Sequence, residues 1–310
     1  MARKLRIQYP GAIYHVLNRG NYKSDIFSDQ GAAHAFVQAL EEAVERFGWR
    51  LGAYVVMRNH YHLALKTPEP NLAAGMHWLQ CTFATRFNRL RNERGHLFQG
   101  RYKAILLETE TDWARVVDYI HLNPVRGGIV TPEHLGQFRW SSLMRFQKNL
   151  KFNGLSSFGW LHIHGLQDTP QEWEDYIDIL RSKHSDANSG GSDDGKTLSE
   201  GWAIGSDVWK AQTLQDALPA IEATGSSEGL QIPPEMLQVK WKLRLDQELK
   251  GLGKTEADLS TDRKSAAWKI QLAERLQREN GASASWIATE LRMGKPNSVR
   301  AYLWKYRKIK

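Results

Sequence analysis

The segment His60-Tyr61-His62 sets two imidazoles two residues apart. In a β-strand, alternate side chains share a face, so His60 and His62 point one way while Tyr61, Leu63 and Leu65 point the other. With Cα atoms about 7 Å apart, such a pair can close on one divalent ion. On its own, a His-x-His is more simply two surface histidines on a half-buried strand. A second segment runs through Tyr119. At about 100° per residue, Trp113, Val116, Val117 and Ile120 gather on one side of a helix. Arg115, Tyr119 and Asn123 form a separate stripe at four-residue spacing, so a phenol and an amide stand one turn apart. Alone, this is an amphipathic helix with a boundary tyrosine and Asn123 as its cap before Pro124.

Together the two segments supply what phosphodiester cleavage needs. A tyrosine can attack phosphorus and conserve the bond energy as a phosphotyrosine. A divalent ion can neutralise the non-bridging oxygens, and histidine nitrogens with one amide oxygen leave coordination positions open for substrate. A tyrosine hydroxyl ordinarily ionises near pH 10, so a metal or cation must assist it.

The surrounding sequence must position these groups. Ala12–Arg19 reads as a strand ended by Gly20-Asn21, and residues 31–47 as a helix with Phe36, Leu40, Val44 and Phe47 in step. Residues 50–57 and 60–66 read as neighbouring strands turning at Arg58-Asn59. Residues 71–91 form a long amphipathic helix with Leu72, Met76, Leu79, Phe83, Phe87 and Leu90 on one face. Residues 104–108 are a short strand, and 111–123 a helix opened by Thr111-Asp112 and closed by Pro124. This order predicts an α+β fold, an antiparallel sheet flanked by helices. Residues 1–150 are expected to form the catalytic domain and 151–183 a helical extension. The Ser/Gly/Asp-rich stretch 184–201 reads as a flexible linker, and 202–310 as a helical C-terminal region. Within it, 263–279, 283–291 and 296–306 are helical, and the last two resemble a helix-turn-helix with Trp286, Ile287, Leu291 and Val299 as core. Arg300, Lys305, Arg307 and Lys308 suit phosphate contact there. A small helical packing unit with a basic surface gives the same pattern.

The formal net charge is +8, which favours a polyanionic partner. The charge is split into a basic block (residues 1–150, net +8), an acidic one (151–230, net −8) and a second basic one (231–310, net +8). The single cysteine, Cys81, excludes an intramolecular disulfide and fits a reducing compartment. With no apolar run near the ~18 residues of a membrane span, and no apolar core after the basic start, a cytoplasmic protein with no membrane partner is expected.

Four segments carry a resemblance: Asn18-Arg19-Gly20-Asn21, Asn59-His60-Tyr61-His62, Gly95-His96-Leu97-Phe98-Gln99-Gly100-Arg101-Tyr102, and Asp118-Tyr119-Ile120-His121-Leu122-Asn123-Pro124-Val125-Arg126. In this order, over roughly Arg3 to Leu143 and ending at Trp140-Ser141-Ser142, they resemble the REP-associated tyrosine transposases. These are single-tyrosine HUH (His-hydrophobic-His) transposases of the insertion-sequence-200-like group. The resemblance implies an RRM-like, ferredoxin-like HUH domain in which Tyr119 attacks single-stranded DNA, giving a 5′-phosphotyrosine and a free 3′-OH. It implies Mg²⁺ or Mn²⁺ on His60 and His62 with Asn123 as third ligand. Imperfect hairpins of repetitive extragenic palindromes would be the substrate, with Arg3, Arg6, Arg19 and Arg101 on phosphates. Duplex DNA is a candidate partner of the C-terminal helices, and the oligomeric state stays open. Two departures stand out: Arg58 where the family has Pro, and Gly127 where Ala is common. The competing expectations are a non-catalytic DNA-binding regulator and a nicking enzyme of the replication-initiator or relaxase kind.

Overall fold

The computed structural model describes residues 3–4, 6–188, 195–223, 230–231 and 234–309, in two compact units. One comprises Arg6–Ser206, the other Met1–Leu5 with Asp207–Lys310. The second unit holds strand β1 (Arg3–Lys4). The first begins with β2 (Ala12–Arg19), followed by α1 (Gln30–Phe47), β3 (Arg50–Val56), β4 (His60–Thr67), α2 (Leu72–Arg91) and β5 (Lys103–Leu107). After these come α3 (Glu110–Arg126), α4 (Ser142–Gln147), α5 (Pro170–Asn188), α6 (Gly195–Ser199) and β6 (Ala203–Ile204).

The sheet order is β3-β4-β2-β5-β6. The first four strands pair antiparallel, which is the split βαββαβ arrangement of a ferredoxin-like fold. The two-residue β6 joins β5 in parallel and makes the sheet mixed. Alternation on β4 divides the helices between its faces. Tyr61 packs against Phe36 of α1, with ring centroids 4.6 Å apart. Phe83 of α2 packs against Phe36 and Phe27 on the same side. The opposite face is covered by α3. Its Trp113 presses onto β3 at Gly52, where an added Cβ would lie 2.7 Å from Trp113 Nε1. Gly52 also sits in the register shift between Leu51 and Ala53, a bulge that only a residue without a side chain fits here.

Three sequence expectations change. Pro124 does not end α3, which runs on to Arg126. A proline's fixed φ suits a helix, and only its missing N–H and ring bulk oppose it; here burial of Pro124 and Val125 and the bond from Gly127 N to Asn123 O (2.8 Å) hold the last turn. The helix start is capped by Thr109 with Asp112 as a reciprocal capping box, two residues earlier than Thr111. Leu90 is exposed at the end of α2 rather than on its apolar face.

The stretch expected as a linker is not uniformly open. Residues 184–188 complete α5 and 195–199 form α6, whose Leu198 is buried, while 189–194 lie outside the described residues. Composition misses this because one apolar side chain and one backbone carbonyl suffice to dock a single helical turn. The boundary between units falls at Ser206/Asp207. The extension 151–183 buries Trp160, Trp173 and Tyr176 against His121 and Phe146, so it is a packing layer for α3.

In the second unit, β1 pairs with β7 (Leu230–Gln231). Its helices are α7 (Asp207–Ala223), α8 (Pro234–Gly251), α9 (Glu256–Thr261), α10 (Ala267–Asn280), α11 (Ala284–Glu290) and α12 (Pro296–Ile309). Ile287, Leu291 and Val299 are buried as expected, with Trp286 packed beside them, but their core also includes Trp241, Leu245 and Leu249 of α8. The indole of Trp241 donates to Asn280 O at 2.9 Å. The terminal helices therefore share a core with α8 and are not a free-standing trio.

Candidate active site

His60 and His62 lie on the face of β4 that α3 covers. Their rings are 5.1 Å apart between centroids. Tyr119 projects from α3 against His62, its ring 5.5 Å away and edge-on. His62 is fully buried and Tyr119 is half-buried. The elements that sequence spacing paired are therefore brought together, from segments almost sixty residues apart in the chain.

A third histidine completes the arrangement. His15 on β2 is buried in the same layer, its Nε2 at 2.9 Å from His62 Nδ1 and its Nδ1 at 2.7 Å from Leu198 O on α6. A carbonyl only accepts, so His15 Nδ1 must donate. Burial lowers His15 to about 4, so the ring is neutral at pH 7 and its Nε2 can only accept. His62 Nδ1–H is then the donor, and His62 Nε2 keeps a free lone pair. These tautomers are assigned from partner chemistry. An imidazole held through one nitrogen to present the other is the usual arrangement behind a metal-ligating histidine.

His60 is held by a different device. Asn59 Nδ2 donates to Lys23 O (3.2 Å), which turns Asn59 Oδ1 towards His60 Nδ1 at 2.8 Å. His60 Nδ1–H donates to it, leaving Nε2 unprotonated. Burial and the nearby Arg19 guanidinium lower His60 to about 4, and its side chain is hydrogen-bonded to Asn123. The Asn123 amide also donates from Nδ2 to Tyr119 O (3.3 Å), which leaves its Oδ1 as an oxygen donor at the site. With His62 Nε2 the donor set is two imidazoles and an amide oxygen, and these residues fit a divalent ion with coordination positions left over. Among the described residues, no group of three or more His, Cys, Asp or Glu forms a metal site of its own.

Asp118, one residue before the phenol, is buried and braces α3 from behind. Its Oδ1 accepts from Tyr176 Oη (2.8 Å) and its Oδ2 from Lys183 Nζ (2.5 Å), while His164 Nε2 lies 3.1 Å away. Burial works to raise its carboxyl, but His164 and Lys183 overcome this and hold it below the ordinary range. The chain continues through Tyr176 Oη and His121 Nδ1 (3.0 Å) to Ser142 Oγ (2.8 Å from His121 Nε2), which receives Tyr54 N at 2.9 Å.

The basic candidates divide. Arg19 is exposed and stands directly across from His60 on the paired strands, and Arg101 is exposed. Arg6 is engaged elsewhere: its guanidinium stacks 3.6 Å from the Tyr102 ring and donates to Tyr102 O at 3.0 Å. The side chain of Arg3 lies outside the described residues. Arg126, absent from the expected set, places its guanidinium carbon 5.2 Å from the Tyr119 ring centroid. Arg58, the departure in the turn, forms an ion pair with Asp25 at 3.0 Å, and the turn still closes with Met57 N on His60 O at 2.8 Å. Arg300 and Lys305 are exposed on α12 of the other unit, with Arg300 Nη1 donating to Asn297 Oδ1 at 2.8 Å.

Residues 8–123 match the model of the family described as "Transposase IS200 like". The resemblance carried by the four sequence segments is thus shown for the stretch holding His15, His60, His62, Tyr119 and Asn123. A Haemophilus influenzae protein that carries the name REP-associated tyrosine transposase is 26% identical over 106 residues, which is 31% of this chain and 60% of that relative. The chain therefore spans less than two thirds of that relative's length. A solved structure of a REP-associated tyrosine transposase bound to a REP hairpin is 20% identical, with a TM-score of 0.39 over 52% of this chain and 90% of that one. Leu198, Tyr176 and Lys183 lie beyond the segment that the family model matches.

Proposed function

We propose that this chain is a transposase-type DNA strand transferase that cuts and rejoins single-stranded hairpin DNA of the REP kind. The observation that carries the reading is the meeting of the Tyr119 phenol ring with His62, whose ring lies 5.1 Å from that of His60 on the same strand face. Tyr119 Oη attacks phosphorus, the bond to the 3′ oxygen breaks, and the products are a 5′-phosphotyrosine and a free 3′-OH. The proton lost by the phenol is balanced by the one gained at the departing oxygen. His60, His62 and Asn123 would hold Mg²⁺ or Mn²⁺. When bound, the ion would neutralise charge on the phosphate oxygens. Arg19 and Arg126 add fixed positive charge at the rim. Rejoining is the reverse attack by a 3′-OH on the phosphotyrosine. Chromosomal DNA as substrate puts this reaction in the cytoplasm.

Hairpin oligonucleotides labelled at one end, incubated with and without Mn²⁺ or Mg²⁺, test the reading on a denaturing gel. The expected result is a metal-dependent protein–DNA adduct, absent from Tyr119→Phe and His60→Ala. Binding without adduct or cleavage would instead favour the regulator. That second reading has its own support in the other unit: residues 291–310 hold seven Lys/Arg and no Asp or Glu. There α12 exposes Asn297, Arg300, Trp304 and Lys305, a face suited to a duplex groove. Duplex binding by α12 is compatible with either reading.

A further inference from the structure

Among the aromatics near basic residues in the first unit, Tyr14, Phe98 and Tyr102 are buried, whereas Tyr22 is 92% exposed. Its backbone is held in the left-handed region (φ 52°, ψ 27°), and so is that of Lys23 (φ 59°). Two consecutive L residues in this region are unfavourable, and such outliers persist only where the surroundings over-determine them. Here they do. Gly20 N donates to Asn59 O (2.7 Å), Asn21 N to Leu97 O (2.7 Å), Lys23 N to Gly20 O (3.0 Å) and Ser24 N to Asn21 O (2.9 Å). A side chain at Gly20 would overlap the Ser24 carbonyl oxygen. The same Asn59 that accepts from His60 donates to Lys23 O. The loop is thereby fixed to a proposed metal ligand, one residue from Tyr22.

A rigid loop that aims a solvent-exposed phenol ring away from the core has no packing purpose. Lys23 and Arg19 are exposed on the same loop and at the end of β2, and they bring positive charge to that edge, while Arg58 on the neighbouring turn is ion-paired with Asp25 at 3.0 Å. An aromatic ring in such a setting is the recurring platform for unpaired bases, because every base has a π-face.

We propose that Tyr22 stacks on an unpaired nucleobase of the single-stranded DNA flank next to the phosphate that Tyr119 attacks. The proposal rests on the strand-transfer reading and adds to it a place for the flank. Its test uses the full chain and a hairpin oligonucleotide with unpaired flanks, 2-aminopurine being placed at each flank position in turn. Fluorescence should be quenched at one position by the wild type and by Tyr22→Trp. Quenching should be lost in Tyr22→Ala and in Tyr22→Gly, the second of which relaxes the backbone and so separates ring from loop. Affinity for the same oligonucleotide should fall at least about fivefold in both. Equal affinity and quenching in wild type and Tyr22→Ala would overturn the proposal, and adduct formation at Tyr119 in those samples would leave strand transfer standing. No binding of the oligonucleotide by the wild type would overturn both.

Discussion

Tyr61 and His62 are neighbours on β4, both fully buried, and they serve opposite purposes. Tyr61 sits in an aromatic layer with Phe27, Phe36 and Phe98, and its hydroxyl receives one bond, from Gln80 Nε2 at 2.9 Å. Burial raises its ionisation far above the ordinary tyrosine range, so it is inert. On the other face His62 leans on His15 and Tyr119, and burial with the neighbouring His15 keeps it neutral. One face buries apolar surface, whose contribution scales with area. The other buries polar groups, each of which must end on a partner, and partners come from beyond residue 150: Leu198 for His15 and, behind α3, Tyr176 and Lys183 for Asp118. The chemistry face is therefore completed by chain outside the family-matched segment.

The largest expected effect breaks the apolar face. Tyr61→Ala should cost about 3–5 kcal/mol of unfolding free energy in urea titrations and leave the site's imidazoles in place, whereas His62→Ala should remove adduct formation. A small loss in Tyr61→Ala would mean the two faces are not divided as described. Acid sharpens the contrast next. His15 and His60 are lowered to about 4 and His121 to about 3, burial being the main cause. The unfolded chain takes up these protons near 6.5, so it binds more protons than the folded one between pH 6.5 and about 4. Stability should be complete above pH 6.5 and fall on acidification by about 1.4 kcal/mol per pH unit for each such group. His121→Gln should flatten this fall, and a pH-independent midpoint between 6.5 and 4 would contradict the burial of neutral imidazoles.

Smaller still is the effect of the relay. His15→Phe keeps volume but removes the acceptor that fixes His62, and Mn²⁺ affinity measured by electron paramagnetic resonance should drop about 10- to 100-fold. Unchanged affinity would make His15 a packing residue only. Thr109→Ala, which opens the capping box of α3, should cost about 1 kcal/mol, read as a shift in the denaturation midpoint.

Much of this was readable before folding. The alternation of His60-Tyr61-His62 assigns faces correctly, and the β2 limits and the apolar faces of α1 and most of α2 follow from period alone. What escaped has physical reasons. His15 is a single histidine inside the strand Ala12–Arg19, and its role depends on a diagonal neighbour across the sheet and a carbonyl far along the chain. Asp118 reads as a polar residue on an amphipathic helix until Tyr176 and Lys183 fold onto it. The end of α3 was missed because local proline chemistry was weighed without the tertiary packing that overrides it. In the sequence Tyr22 is one of several aromatics near basic residues, and only its exposure and backbone separate it from the others.

The most direct test of the account is the site of covalent attachment. After reaction with hairpin DNA, nuclease trimming and trypsin digestion, mass spectrometry of the peptide spanning residues 116–126 should show a 5′-nucleotide on Tyr119. The same peptide unmodified, with the nucleotide on another tyrosine or on none, would contradict it.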